Sequence, residues 1–203
     1  MKNIILKAIT LFVIFNITSC KKQDTYITSN HLFETKPLNY IEIKNIASSI
    51  ESLNTTASIN KRYKNNDINE IHKLINPLID NGKKIHEEIL NNLIKNSEWE
   101  SISKQEKEIL FNFNDVQFAE LSLIYFDLQE KITLREDDTW TTVRSCLSGA
   151  FGLGDLYYLL IENPRSLATA RGSISLLKHI GGRYLGYIGL GLAIIDFADC
   201  ISR

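Results

Sequence analysis

Few side chains in this 203-residue sequence could do chemistry, and most are badly spaced for it. Two of the four histidines, His72 and His86, share a face if one continuous helix carries both. That spacing invites a metal pair, but 14 residues rise about 21 Å along a helix. One ion would reach both rings only if the chain folded back near Pro77 and Gly82. The Glu-x-x-His pattern of di-iron bundles is absent, and His31 and His179 have no ligand pattern around them. Gly149-Ala-Phe-Gly152-Leu-Gly154 recurs 37 residues later as Gly186-Tyr-Ile-Gly189-Leu-Gly191. Dinucleotide loops have the opposite order, Gly-x-Gly-x-x-Gly after a strand, and no strand pattern precedes either copy. Gly82-Lys83 lacks the earlier glycine of a phosphate loop, and no Gly-x-Ser-x-Gly elbow occurs. Asp155, Asp196 and Asp199 lie in or beside apolar stretches. Buried charges need partners, so these are expected to pair with Arg144, Arg171 or Arg183. Trp99 and Trp140 are expected to anchor a core or an interface. No catalytic residue, metal ligand or cofactor is expected, and the chain is read as leaning away from an enzyme.

The patterns that would position these residues are helical. Ile43, Ile46, Ile50 and Leu53 recur at steps of three and four, as one helical face requires. Residues 60–66 are polar and read as a loop. Asp67 is placed to cap a helix whose stripe is Ile71, Ile75, Leu78, Ile85, Ile89 and Leu93. Pro77 and Gly82 interrupt that stripe, and a kink or break is expected there. Ser103-Lys-Gln-Glu106 has the capping-box pattern. It precedes a run through Phe111, Asn114, Phe118, Leu121, Tyr125, Leu128 and Ile132. Three antiparallel helices with a shared core follow. A coiled-coil partner face is the alternative use of that spacing. No long stretch alternates with a period of two.

The last third differs in composition. Nine of the ten glycines follow residue 148, and residues 139–203 carry six basic and four acidic side chains. Residues 21–138 carry 15 basic and 20 acidic ones, so a boundary is expected in the polar stretch near 135–138. Leu167, Ala170, Ile174 and Leu177 form a further stripe that ends at Gly181-Gly182. Gly182-x-x-x-Gly186 and Gly149-x-x-Gly152 are spacings that let two helices approach closely. The uncharged run 184–195 has 12 residues, short of the roughly 20 needed to span a bilayer. A packed helical hairpin is preferred over membrane insertion.

The first 24 residues carry an address. Lys2 and Lys7 give a cationic start, residues 9–17 are uncharged and mostly apolar, and Thr18-Ser19 leads to Cys20. The apolar run 8–20 is also too short to span a bilayer. This segment resembles the signal peptide and lipobox of bacterial lipoproteins. The resemblance implies cleavage before Cys20 and acylation of its sulfur and new amino terminus. Multiple acyl chains would anchor the protein stably in a lipid bilayer. Lys22 and Asp24 partly match a surface-export signal of Bacteroidota lipoproteins, which leaves the periplasmic and surface sides both open. Removing residues 1–19 takes away Lys2 and Lys7 and no acid, leaving 21 basic and 24 acidic side chains, a net of −3. That balance has no basic excess for nucleic acid.

With Cys20 lipidated, Cys146 and Cys200 remain as an even pair in an exported protein, which favours a disulfide. One straight helix over 140–161 would hold the two cysteines more than about 20 Å apart. A turn within 149–154 would let them meet, and it is the expected solution. The organisation expected is a signal peptide (1–19), a lipidated tether (20–37), a helical domain (38–138) and a Gly-rich apolar helical region (139–203). The fold class expected is all-α, an antiparallel bundle followed by the Gly-rich hairpin region with one disulfide. Function is expected to be a non-enzymatic interaction or envelope role at the outer membrane, through the lipid anchor and a protein partner. A membrane-active, toxin-like use of the Gly-rich region is the alternative.

Overall fold

A computed structural model of the chain describes residues 32–59, 65–95, 97–135, 146–152, 167, 169–183 and 185–202. These residues fold as an all-α structure, with no strand among them. Cys20, Trp140, Arg144, Asp155 and His31 lie outside the described residues.

Helix α1 (Tyr40–Ile59) opens on a reciprocal cap: the Glu42 N–H donates to Asn39 Oδ1 and the Asn39 N–H to Glu42 Oε2, both at 2.9 Å. Two otherwise orphaned donors are satisfied in this way. The Ile43, Ile46 and Ile50 face is buried as the spacing predicts. Helix α2 (Asn65–Lys95) is a single 31-residue helix that runs through both Pro77 and Gly82. Of the kink or break expected there, the break does not occur. Asp67 sits inside its first turn and is not the cap. All six residues of the predicted stripe are buried. Gly82 has a different role from the one its type suggested, because a Cβ built on it would lie 1.8 Å from the Phe118 carbonyl oxygen. It is where another helix crosses α2 in backbone contact.

A 3₁₀ turn (Ser97–Ser101) reverses the chain into α3 (Lys104–Phe111), which begins with the predicted Ser103/Glu106 capping box. Helix α4 (Asp115–Arg135) then starts on a second reciprocal cap, between Asn114 and Gln117. The single run expected from Phe111 to Ile132 is therefore two helices. Phe111 closes the first of them and is 54% exposed. Helix α4 is central: from Val116 to Gln129 only Phe118 is not buried. Its neighbours cover every side, so it buries Gln117, Glu120, Ser122, Asp127 and Gln129 along with its apolar residues.

Helix α5 (Cys146–Phe151) ends at Gly152, whose φ of +57° is left-handed backbone that glycine adopts without a Cβ penalty. The chain leaves its helical path within 149–154, as the cysteine geometry required. Helix α6 (Ala170–Gly181) begins at a Thr169 cap that accepts the Gly172 N–H, and it ends at the predicted glycine pair. Helix α7 (Tyr187–Ile201) follows a short turn and packs mainly on α1 and α5. Close approach is seen at Gly181 and Gly191, which lie outside the two expected spacings. A Cβ on Gly186 would meet nothing within 4 Å, whereas one on Gly191 would lie 3.2 Å from Ile50 Cγ2. One on Gly181 would lie 2.6 Å from Ile109 Cγ2. Phe197 meets Phe126 edge-on at 6.0 Å, so the Gly-rich region and the preceding helices share one apolar core.

Candidate functional site

The sulfurs of Cys146 and Cys200 lie 2.12 Å apart with the alpha carbons at 5.4 Å, so the pair is at disulfide distance. It ties the start of α5 to the end of α7 across 54 residues of chain.

The two histidines on α2 meet different partners. His72 Nε2 lies 3.0 Å from Asp115 Oδ2, and the Tyr187 ring stands edge-on to its imidazole at 5.3 Å. Lys83 Nζ sits 3.2 Å from the other oxygen of Asp115. The His72 contact, then Lys83, holds the Asp115 carboxyl below its ordinary range. Asp115 is the first residue of α4, where a carboxylate also suits the helix dipole. This cluster pins the start of α4 to two points on α2. His86 is buried, and its Nε2–H donates to the Leu110 carbonyl at 2.7 Å. Burial lowers its pKa and keeps the ring neutral, with Phe113 and Phe118 packed against it. The pair predicted to be too far apart for one ion is therefore used at two separate helix contacts. Among the described residues, no group of three His, Cys, Asp or Glu side chains could hold a metal ion.

The turn between α6 and α7 is held from α4. Gln117 Nε2 donates to the carbonyls of Ile180, Gly181 and Arg183 at 3.2, 3.3 and 3.4 Å. Arg183 Nη1 reaches Glu120 Oε1 at 3.1 Å. Glu120 is 1% exposed, and burial pushes its carboxyl up to about 7 while the guanidinium opposes that shift. Asp196 and Asp199, expected to be buried against arginines, are exposed on α7. Arg171 is exposed as well, and Arg183 is taken by Glu120 instead.

The end of the stretch read as tether is fixed to the bundle. Glu88 on α2 accepts the Glu34 and Thr35 N–H groups, each at 2.8 Å, and the Thr35 hydroxyl. The Leu32 N–H donates to Gln129 Oε1 at 3.1 Å, and Asn81 Nδ2 donates to the Lys36 carbonyl at 2.8 Å. The Tyr125 hydroxyl donates to the Thr35 carbonyl at 2.9 Å, and buried Phe33 lies against the Tyr125 ring. Residues 32–36 thus form a strap. Beside it an open cleft of about 460 Å³ lies between Leu32, Glu34, Asn91 and Lys95. No sequence pattern marked Glu88 or Gln129 for this task. Each is one polar residue among many on an amphipathic or central helix.

No helix of the described residues is long and apolar enough to cross a membrane. Comparison with protein-family models, curated proteins and solved structures returns no match to this chain.

Proposed function

We propose that the protein is an exported bacterial lipoprotein, anchored at the outer membrane through acylated Cys20, and that it serves as a non-enzymatic helical interaction or envelope protein. The observation that carries this reading is the cysteine arrangement. Cys146 and Cys200 lie at disulfide distance, which leaves Cys20 alone at the end of a signal-like run. The titratable clusters agree with a non-catalytic role, since His72, Asp115, His86, Glu120 and Glu88 each join one element to another. The membrane-active alternative would need α7 to leave the core, where Leu190, Ala193, Ile194 and Phe197 are buried. That burial favours the packed, interacting form.

Two measurements test the reading. A Cys20→Ser variant should lose its lipid and leave the membrane fraction; normal maturation and retention there would sink the anchor. Purified mature protein should leave dye-loaded phosphatidylcholine and phosphatidylglycerol vesicles intact at acid and neutral pH. Leakage would instead favour the toxin-like alternative.

A further inference from the structure

The strap fixes where the anchor segment joins the fold. Its first described residue, Leu32, is bonded to Gln129 near the far end of α4 and lies beside the last turns of α2, at Asn91, Asn92 and Lys95. Cys20 precedes Leu32 by 12 residues, and that length of chain reaches at most about 40 Å. An acylated Cys20 therefore joins the fold at this end of the bundle, where α2 finishes, and holds that end within about 40 Å of the bilayer.

The same end carries exposed apolar side chains. Ile94, in the last turn of α2, is 50% exposed. Five residues on, in the 3₁₀ turn, half-buried Trp99 meets the exposed Phe111 ring edge-on at 5.6 Å. The Lys107 ammonium stands 4.9 Å from the Trp99 ring. Single exposed apolar residues are ordinary on protein surfaces. A tryptophan paired with a phenylalanine and flanked by a lysine is the chemistry of the membrane interface, where the rings enter the headgroup layer and the ammonium stays wet.

We infer that this end, formed by Ile94, Trp99, Lys107 and Phe111, rests on the bilayer that holds the lipid anchor. The inference depends on the anchored lipoprotein proposed above. Residues 94–111 carry three basic and four acidic side chains, so contact rests on aromatic insertion and is indifferent to anionic lipid.

The test uses the acylated protein purified from membranes, with Trp140→Phe leaving Trp99 as its only tryptophan. It is reconstituted in phosphatidylcholine vesicles with and without chain-brominated lipid. Bromine should quench Trp99 emission, and adding Phe111→Ser and Ile94→Ser should weaken that quenching. The quenching should be equal when a quarter of the lipid is phosphatidylglycerol. Unquenched Trp99 on a chain whose mass shows acylation would overturn the docking surface and leave the anchor standing. A mass without acyl chains would bring down the anchor, and the surface with it. Should the Trp140→Phe variant not fold, amide exchange of the wild-type protein decides. Residues 97–111 should be protected on vesicles relative to the soluble Cys20→Ser form, and equal exchange would overturn the proposal. A concentration-dependent dimer of that soluble form, with Trp99 buried in it, would assign the surface to a second copy and also overturn it.

Discussion

Glu120 sits in surroundings that a carboxylate does not prefer. It lies inside the bundle with Arg183 as its charged partner, and its pKa is raised from 4.5 to about 7. The folded state therefore holds a proton over a pH range in which the unfolded chain has released it. By linkage, stability should rise as pH falls through about 7 and level off below about 4.5. A shift of this size corresponds to about 3 kcal/mol. His86 works against it in part of the same range, because its buried neutral ring is disfavoured once the unfolded imidazole gains a proton. A Glu120→Gln variant isolates the carboxyl: between pH 8 and pH 5 its urea midpoint should rise less than the wild type's. An identical rise in both proteins would contradict the assignment. Gly82 gives a second residue-scale prediction. Helix propensity favours alanine over glycine by about 1 kcal/mol, but the added Cβ would collide with the Phe118 backbone. Gly82→Ala should be net destabilising by about 2 kcal/mol, as overpacking a close crossing is. Thermal melting reads it directly.

At the scale of elements, the strap is the part whose stability can be changed without touching the core. Glu88 holds two backbone N–H groups and the Thr35 hydroxyl, and hydrogen bonds to a charged acceptor contribute about 1.5–3 kcal/mol each in favourable settings. Glu88→Ala should speed amide exchange at Glu34 and Thr35 by about tenfold or more while leaving α2 and α4 protected. Unchanged exchange at those two amides would mean that Phe33 alone seats the strap. Much at this scale was legible in the sequence. The stripes of α1, α2 and α6 and the Ser103 cap could be read because periodicity and capping are local properties. The interruption at 112–114 was hidden, because Phe111, Asn114 and Phe118 keep helical spacing across it. Gly82 was misread for a related reason: a glycine inside a helix looks like a breaker until the crossing helix is known. The buried polar face of α4 had the same pattern that a solvated face would have. Asp196 and Asp199 were placed inside because their neighbours in sequence are apolar, yet their own side of α7 faces water.

For the whole molecule, the Cys146–Cys200 pair joins α5 to α7, helices far apart in sequence but both within the Gly-rich region, and α7 in turn packs on α1. By the chain-entropy model a bond closing a loop of this length stabilises by about 4 kcal/mol. The Cys146→Ser, Cys200→Ser double variant should lose stability of that order in a denaturant titration, and an unchanged midpoint would show that the bond contributes little. The cysteines also bear on location. The pairing was expected only after the resemblance of residues 1–24 to a lipoprotein signal had set Cys20 aside, and the turn that lets the pair meet was expected from the glycines at 149–154. The anchor and the pairing meet in one quantity, the intact mass of the mature chain extracted from membranes and treated with a thiol-alkylating reagent without reduction. That mass should be of a chain that begins at Cys20, carries the added mass of acyl chains and takes up no alkyl group. A chain that retains residues before Cys20, or one that takes up two alkyl groups, would contradict it.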